Sequence, residues 1–391
     1  MKKIKWPIWP RYSKKECKIA YKVVASNQLF AAQQVKKFEI NFKKYVNSKY
    51  SVALGNATQG LHLSLAALNI GEGDEVITTP FSWISSASCI LMQNAVPIFV
   101  DCDESLSIDP KKLEKKISKY TKAIILVHTF GYPSNLLEIR NIARKYSLFL
   151  IEDSSHSHGM KNKNRFYGTF GDIGVFSLHQ RKAISVGDGG IIVTNNKKIA
   201  DKISKLRSFG HDELSYNYRM SEIAAALGTY RLKKLDLDNR VRQKNAEFLY
   251  NFFLNSNYLI PVKPLNKDKP VYHKFLFRLN TSKIAAKVKT VAEKFQKFGI
   301  PIEATKIRWN LLHRHAHFNP KLIPARGLPW KSHAYKGQYM NIKGYRNLDF
   351  PIIENIVDHE LLEMPINPPV SIDFLKKVCS IMSNVLEDLK K

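Results

Sequence analysis

The stretch "LFLIEDSSHSHG", Leu148–Gly159, is an apolar run that stops on two adjacent acids, Glu152 and Asp153, and passes into a turn rich in serine and histidine. A short apolar run bounded by turn residues reads as a buried strand. Similar runs surround it: "SVAL", "DEVITT", "VPIFV" and "KAIILVH" before, "DIGVFSL" and "GGIIVT" after. From Ser51 to Asn195 these alternate with amphipathic segments, with helices expected near 58–68, 83–93, 110–118, 134–146 and 197–207 and start signals at Asp109-Pro110 and Ser134. This βαβ rhythm predicts the α/β class: a mostly parallel seven-stranded sheet with helices on both faces. The period turns helical near 220–234 and 238–256. The remaining third, with "HKFLFRL" as a strand and helices near 282–299 and 371–390, reads as a smaller α+β domain. The expected division is 1–245, an N-terminal segment plus the large α/β domain, and 246–391, the small C-terminal domain. There is no internal repeat and no low-complexity tract.

A chain of 391 residues, 44% hydrophobic, can bury a large core. Its four cysteines, Cys17, Cys89, Cys102 and Cys379, are far apart with no CxxC pair, so they read as reduced thiols of a cytoplasmic protein. Pro7, Pro10 and Arg11 break the apolar run that a signal peptide would need after the first lysines, and no later segment has the ~20 apolar residues that span a bilayer. A formal charge of +29 raises the question of nucleic acid. However, the basic residues are spread through segments such as "PKKLEKKISKYTK" rather than gathered in a stripe, and Lys greatly outnumbers Arg. The charge reads as a solvated surface able to draw in an anionic substrate, with neither nucleic acid nor membrane as a partner.

Three local patterns carry chemistry. A carboxylate at the end of a parallel strand sits where open α/β sheets bind ligands, which suits Glu152 or Asp153 to meet a cation; the alternative is that one of them caps the following turn. Lys182, in "FSLHQRKAISVGDGG", follows another strand. A desolvated lysine becomes a base or forms a Schiff base with an aldehyde; the alternative is an exposed loop lysine. Gly187, Gly189 and Gly190 would let the backbone turn tightly there and approach a bound ring. In "ALGNATQGLHLSLAAL" a strand, a turn and a helix beginning near Thr58 offer free N–H groups to a phosphate, as many capped helices do.

Together with "WPRYSKKE", "VKKFEINFKKY", "GDEVITTPFSWISSA", "GTFGDIGVFSLHQRK", "NYRMSEIAAALG" and "LLEMPINPP", these patterns resemble the DegT/StrS family of sugar aminotransferases, fold-type I enzymes dependent on pyridoxal 5′-phosphate (PLP), over nearly the whole chain. The resemblance implies that Lys182 binds the cofactor covalently and then acts as general base and acid. It implies that Asp153 contacts the pyridine nitrogen, that His156 lies near the ring hydroxyl, and that Trp83 stacks on the ring or else packs in the core. It assigns the phosphate to Thr58 and Ser177, with Ala57 standing where relatives have glycine. Asn217 is implied to reach the phosphate from the neighbouring subunit of a homodimer with shared active sites, with Arg219 structural. His273 and His313 are implied as substrate contacts; His313, His315 and His317 alternate as metal ligands on a strand can, but the resemblance needs no metal.

The implied reaction moves an amino group from an amino-acid donor, glutamate or glutamine, to a keto sugar, with a nucleotide-linked 3-keto or 4-keto deoxyhexose as the leading acceptor. A keto-cyclitol aminated from glutamine is the alternative, and a non-catalytic basic binding protein of the same fold is another. Related dehydratases carry histidine at the lysine position; here Lys182 favours aminotransfer.

Overall fold

The computed structural model describes residues 3–30, 32–210, 213–265, 268–320 and 329–391. All seven expected runs are strands of one sheet: β1 (Tyr50–Leu54), β2 (Glu75–Thr78), β3 (Val96–Phe99), β4 (Thr121–Val127), β5 (Phe149–Asp153), β6 (Ile173–Ser177) and β7 (Gly190–Thr194), in the order β1-β7-β6-β5-β4-β2-β3. Neighbours from β6 to β3 pair in parallel, and β7 runs antiparallel to both β6 and β1.

The strands are apolar on both sides because helices cover both faces. Val52, Leu54, Val175 and Ile192 pack beneath α3 (Ala57–Ala67), α4 (Ser85–Met92) and α7 (Lys197–Leu206), while Ala53, Phe176, Ile191 and Val193 pack with Phe38 and Phe42 of α2 (Gln33–Val46). Helix α3 starts because Asn56 accepts the Gln59 N–H at 2.9 Å while the Gln59 side chain returns to the Asn56 N–H at 3.2 Å. Gly60 lets it lie close to β6: a Cβ there would come within 2.7 Å of Val175.

Ser134 does not cap α6 (Leu136–Lys145); Asn135 holds the cap position without a side-chain bond, and Ser134 Oγ meets His128 Nδ1 at 2.9 Å instead. Helix α8 (Glu222–Leu232) leads directly into α9 (Leu235–Phe252), which runs unbroken through residue 245. Beyond it β8 (Leu259–Pro261), β9 (Phe275–Leu279), β10 (Glu303–Ala304) and β11 (Leu361–Met364) form an antiparallel sheet in the order β8-β9-β11-β10, near α10 (Val288–Lys297) and α11 (Ile372–Glu387). Helix α10 is shorter than the expected 282–299 because Ile284 and Ala285 are tied to the backbone of Lys390 and Leu389. The amino-terminal segment returns to this half: Ile4 N–H bonds the Phe298 carbonyl at 2.9 Å and Trp6 meets Phe374 edge-on at 5.2 Å.

Candidate active site

The carboxyl ends of the parallel strands face a cavity of about 300 Å³. At the end of β5, strand alternation turns Glu152 and Asp153 to opposite sides. Glu152, wholly buried, accepts the backbone N–H groups of Gly168 (2.7 Å), Phe170 (2.6 Å) and Gly171 (2.7 Å) and pairs with His128 Nε2 at 2.9 Å, which fixes the turn leading to β6. Asp153 lines the cavity; it accepts Ser86 Oγ–H at 2.7 Å and the Ser155 N–H at 3.2 Å. The turn and the cavity therefore each receive one acid.

Lys182 lies in the connection between β6 and β7, folded back by the bonds Gln180 N–H to Gly187 O (2.7 Å) and Val186 N–H to Leu178 O (3.0 Å). Its Nζ is 2.6 Å from His156 Nε2. Burial lowers its pKa to about 8; Asp153 opposes the shift, and Arg181 and Lys274 add to it. Burial, reinforced by Lys182, also holds His156 well below the ordinary histidine range. A neutral His156 whose Nδ1 accepts the Phe130 N–H at 3.1 Å carries its proton on Nε2, so it donates to the lysine amine when that amine has lost its proton. Its ring stacks between those of Phe130 (5.7 Å) and His273 (4.2 Å), each at 7°. Of the three glycines, Gly187 supplies the turn, at φ +97°. Gly190 serves a close approach to protein rather than to a ligand ring: a Cβ there would come within 2.5 Å of the Asn56 backbone.

That approach brings the start of α3 beside the lysine. Asn56, Ala57 and Thr58 line the cavity with Ser177, and Thr58 Oγ1 meets Ser85 Oγ at 2.6 Å. Ala57 takes the first helical position, a conformation any L-residue adopts without strain. Trp83 also lines the cavity; it is 53% exposed and meets Trp309 edge-on at 5.7 Å, so it is not part of the core. His273 lines the same space. Asn217 is exposed, accepts Arg219 Nε–H at 3.0 Å, and does not line the cavity.

His313 departs from its expected place. It is buried in a 3₁₀ turn, Leu312–Arg314, with Nε2 2.7 Å from Glu354 Oε1 and its ring against Phe350, and it does not line the cavity. The triplet does not form a strand; His315 and His317 lie 6.2 Å apart, and no cluster of three metal-ligating side chains exists among the described residues. The sequence reading missed Lys274, Glu363 and Trp309, all cavity-lining. Glu363 had a signal, an acid inside the apolar run "LLEM" of a buried strand. Trp309 had none.

The aminotransferase from Psychrobacter cryohalolentis superposes with a TM-score of 0.85 over 98% of this chain and 99% of that one, at 25% identity. The fold is that of a PLP-dependent aminotransferase. More narrowly, the sequence model of the DegT/DnrJ/EryC1/StrS aminotransferase family matches residues 10–359, and the chain belongs to that family. It is similar to the GDP-perosamine synthase of Escherichia coli O157:H7 (32% identity, 84% of this chain and 87% of the relative). It is also similar to the L-glutamine:2-deoxy-scyllo-inosose aminotransferase of Streptoalloteichus tenebrarius (31% identity, 62% and 64%).

The residues present fit the cofactor. A lysine amine that burial keeps partly uncharged suits its aldehyde, the Asp153 carboxylate suits a pyridinium, and the α3 N-terminus with Thr58 and Ser177 suits its phosphate.

Proposed function

We propose that the protein transfers an amino group from glutamate or glutamine to a keto sugar, foremost a nucleotide-linked 3-keto or 4-keto deoxyhexose, in amino-sugar biosynthesis. The observation that carries this reading is the meeting of Lys182, His156 and Asp153 in one cavity of a chain whose relatives include a GDP-perosamine synthase. When bound, PLP supplies an aldehyde for the donor's nitrogen and a ring that withdraws electrons from the donor's Cα.

The chain's own residues then have distinct tasks. Asp153, anchored by Ser86, keeps a proton on the ring nitrogen by charge. Lys182 Nζ would take the donor's α-proton and return it, a role suited to a pKa near neutrality. His156 would offer Nε2–H to the cofactor, Thr58 and Ser177 would hold its phosphate, and Trp83 would pack against its ring. His273 contacts substrate beside His156.

The enzyme is read as a cytoplasmic homodimer in which Asn217 completes the partner's phosphate site. Exposed Phe30 and Phe209 support this: Arg219, bonded to Asn217, lies 4.1 Å and 4.7 Å from their rings. Exposed aromatic rings gathered on an arginine suit an interface.

The test is to incubate the enzyme with glutamate or glutamine labelled with ¹⁵N at the α-nitrogen, offering a nucleotide-linked 4-keto-6-deoxyhexose, its 3-keto isomer or a keto-cyclitol. Mass spectrometry should find the label in a nucleotide sugar. Label found only in the cyclitol would replace this reading with the second one, which the inosose aminotransferase relative supports.

A further inference from the structure

Lys274 and Glu363 have no part in the roles given above, yet both line the cavity. They come from the small sheet: Lys274 immediately precedes β9, Glu363 lies within β11, and the strands pair Leu276 with Glu363. Lys274 Nζ is 3.3 Å from Glu363 Oε1, with the carboxylate fully buried and the lysine side chain 16% exposed. An ammonium has three donors. The Glu363 carboxylate anchors the side chain as an ion pair at the cavity wall, where the ammonium faces the bound substrate's space. Lys274 is close enough to Lys182, His156 and His273 to help lower the pKa of each.

We infer that Lys274, held by Glu363, receives the α-carboxylate of the amino-acid donor. This rests on the aminotransferase reading above. The donor must bring its Cα to Lys182, and its carboxylate is bonded to that same carbon, so a cation has to stand on the cavity wall within reach. Among the described residues, the lysine and arginine side chains lining the cavity are Lys182, Arg181 and Lys274; Lys182 is committed to the cofactor and Arg181 is exposed on the connection carrying Lys182. Lys274 is the one anchored by a buried carboxylate.

The test uses the PLP-loaded enzyme and follows the loss of its visible absorbance band during titration with glutamate or glutamine, whichever reacts, and with the corresponding α-amide, which lacks only the carboxylate charge. The wild type should prefer the carboxylate by about 10- to 100-fold in half-saturating concentration, the range of a charge-assisted hydrogen bond. Lys274→Gln should erase that preference by weakening the carboxylate donor alone, leaving the acceptor's KM within about twofold. Lys274→Arg should keep the preference. The double variant Lys274→Gln/Glu363→Gln, which strands no buried charge, should behave as Lys274→Gln does. Equal weakening of donor and amide, an unchanged preference in Lys274→Gln, or loss of the preference in Arg181→Gln would overturn the inference. A wild-type band that no amino acid bleaches would overturn the aminotransferase reading itself, and is told apart because it needs no substitution.

Discussion

At the scale of single residues, the fold opposes the charge on Lys182, and that opposition is measurable as stability. The pKa is about 8 in the cofactor-free fold against the ordinary 10.5. Between these values the unfolded chain holds the proton more tightly, so stability rises as pH rises through the window; below pH 8 both states are charged and the whole cost stands. Lys182→Met should therefore stabilise cofactor-free protein at pH 7 by about 3 kcal/mol, with the advantage gone by pH 11. Denaturant melts at the two pH values check this, and an equal difference at both would contradict it. Asp153→Asn keeps the shape and removes the charge; kcat should fall about 100-fold or more with the fold intact, as judged by circular dichroism. The types and order of these residues were legible in the sequence because each ends or follows an apolar run. The partners were not. His313 is paired with Glu354, 41 positions later, and Lys274 with Glu363 across two strands, and neither pairing leaves a local pattern in the chain.

At the scale of elements, the site exists because β7 and the start of α3 approach each other at Gly190. Gly190→Ala should push Asn56 and Ala57 away, weaken PLP retention by about tenfold or more and lower the denaturation midpoint, both readable by dialysis and thermal melting. The turn between β5 and β6 depends on Glu152 in a different way. Glu152→Gln places an amide NH₂ among N–H donors and should cost about 3 kcal/mol of stability while leaving the residual enzyme's donor preference unchanged. Strands were read well here because both faces of the sheet are buried, which makes each strand a continuous apolar run. Helix starts were read less well where a cap residue had a better use: Ser134 is drawn to His128, and the segment before α10 is drawn to the chain's last residues.

At the scale of the whole molecule, a site shared between subunits makes a quantitative prediction. Lys182→Ala and Asn217→Ala homodimers should both be impaired. When they are unfolded and refolded together, half of the dimers are hybrids, and each hybrid has one site with both native residues. About a quarter of wild-type activity should return. No recovery would place Asn217 outside the site. The +29 charge adds a kinetic expectation: added salt should raise the KM of an anionic nucleotide sugar with little change in kcat, as for a steered encounter. The assignment of Lys182 underlies all of these, and the absorbance spectrum of the PLP-loaded enzyme tests it most directly. A visible band that bleaches on adding glutamate or glutamine, and that in Lys182→Ala is altered and no longer bleaches at the wild-type rate, is the predicted result. A band unchanged by the substitution, with bleaching at the wild-type rate, would contradict it.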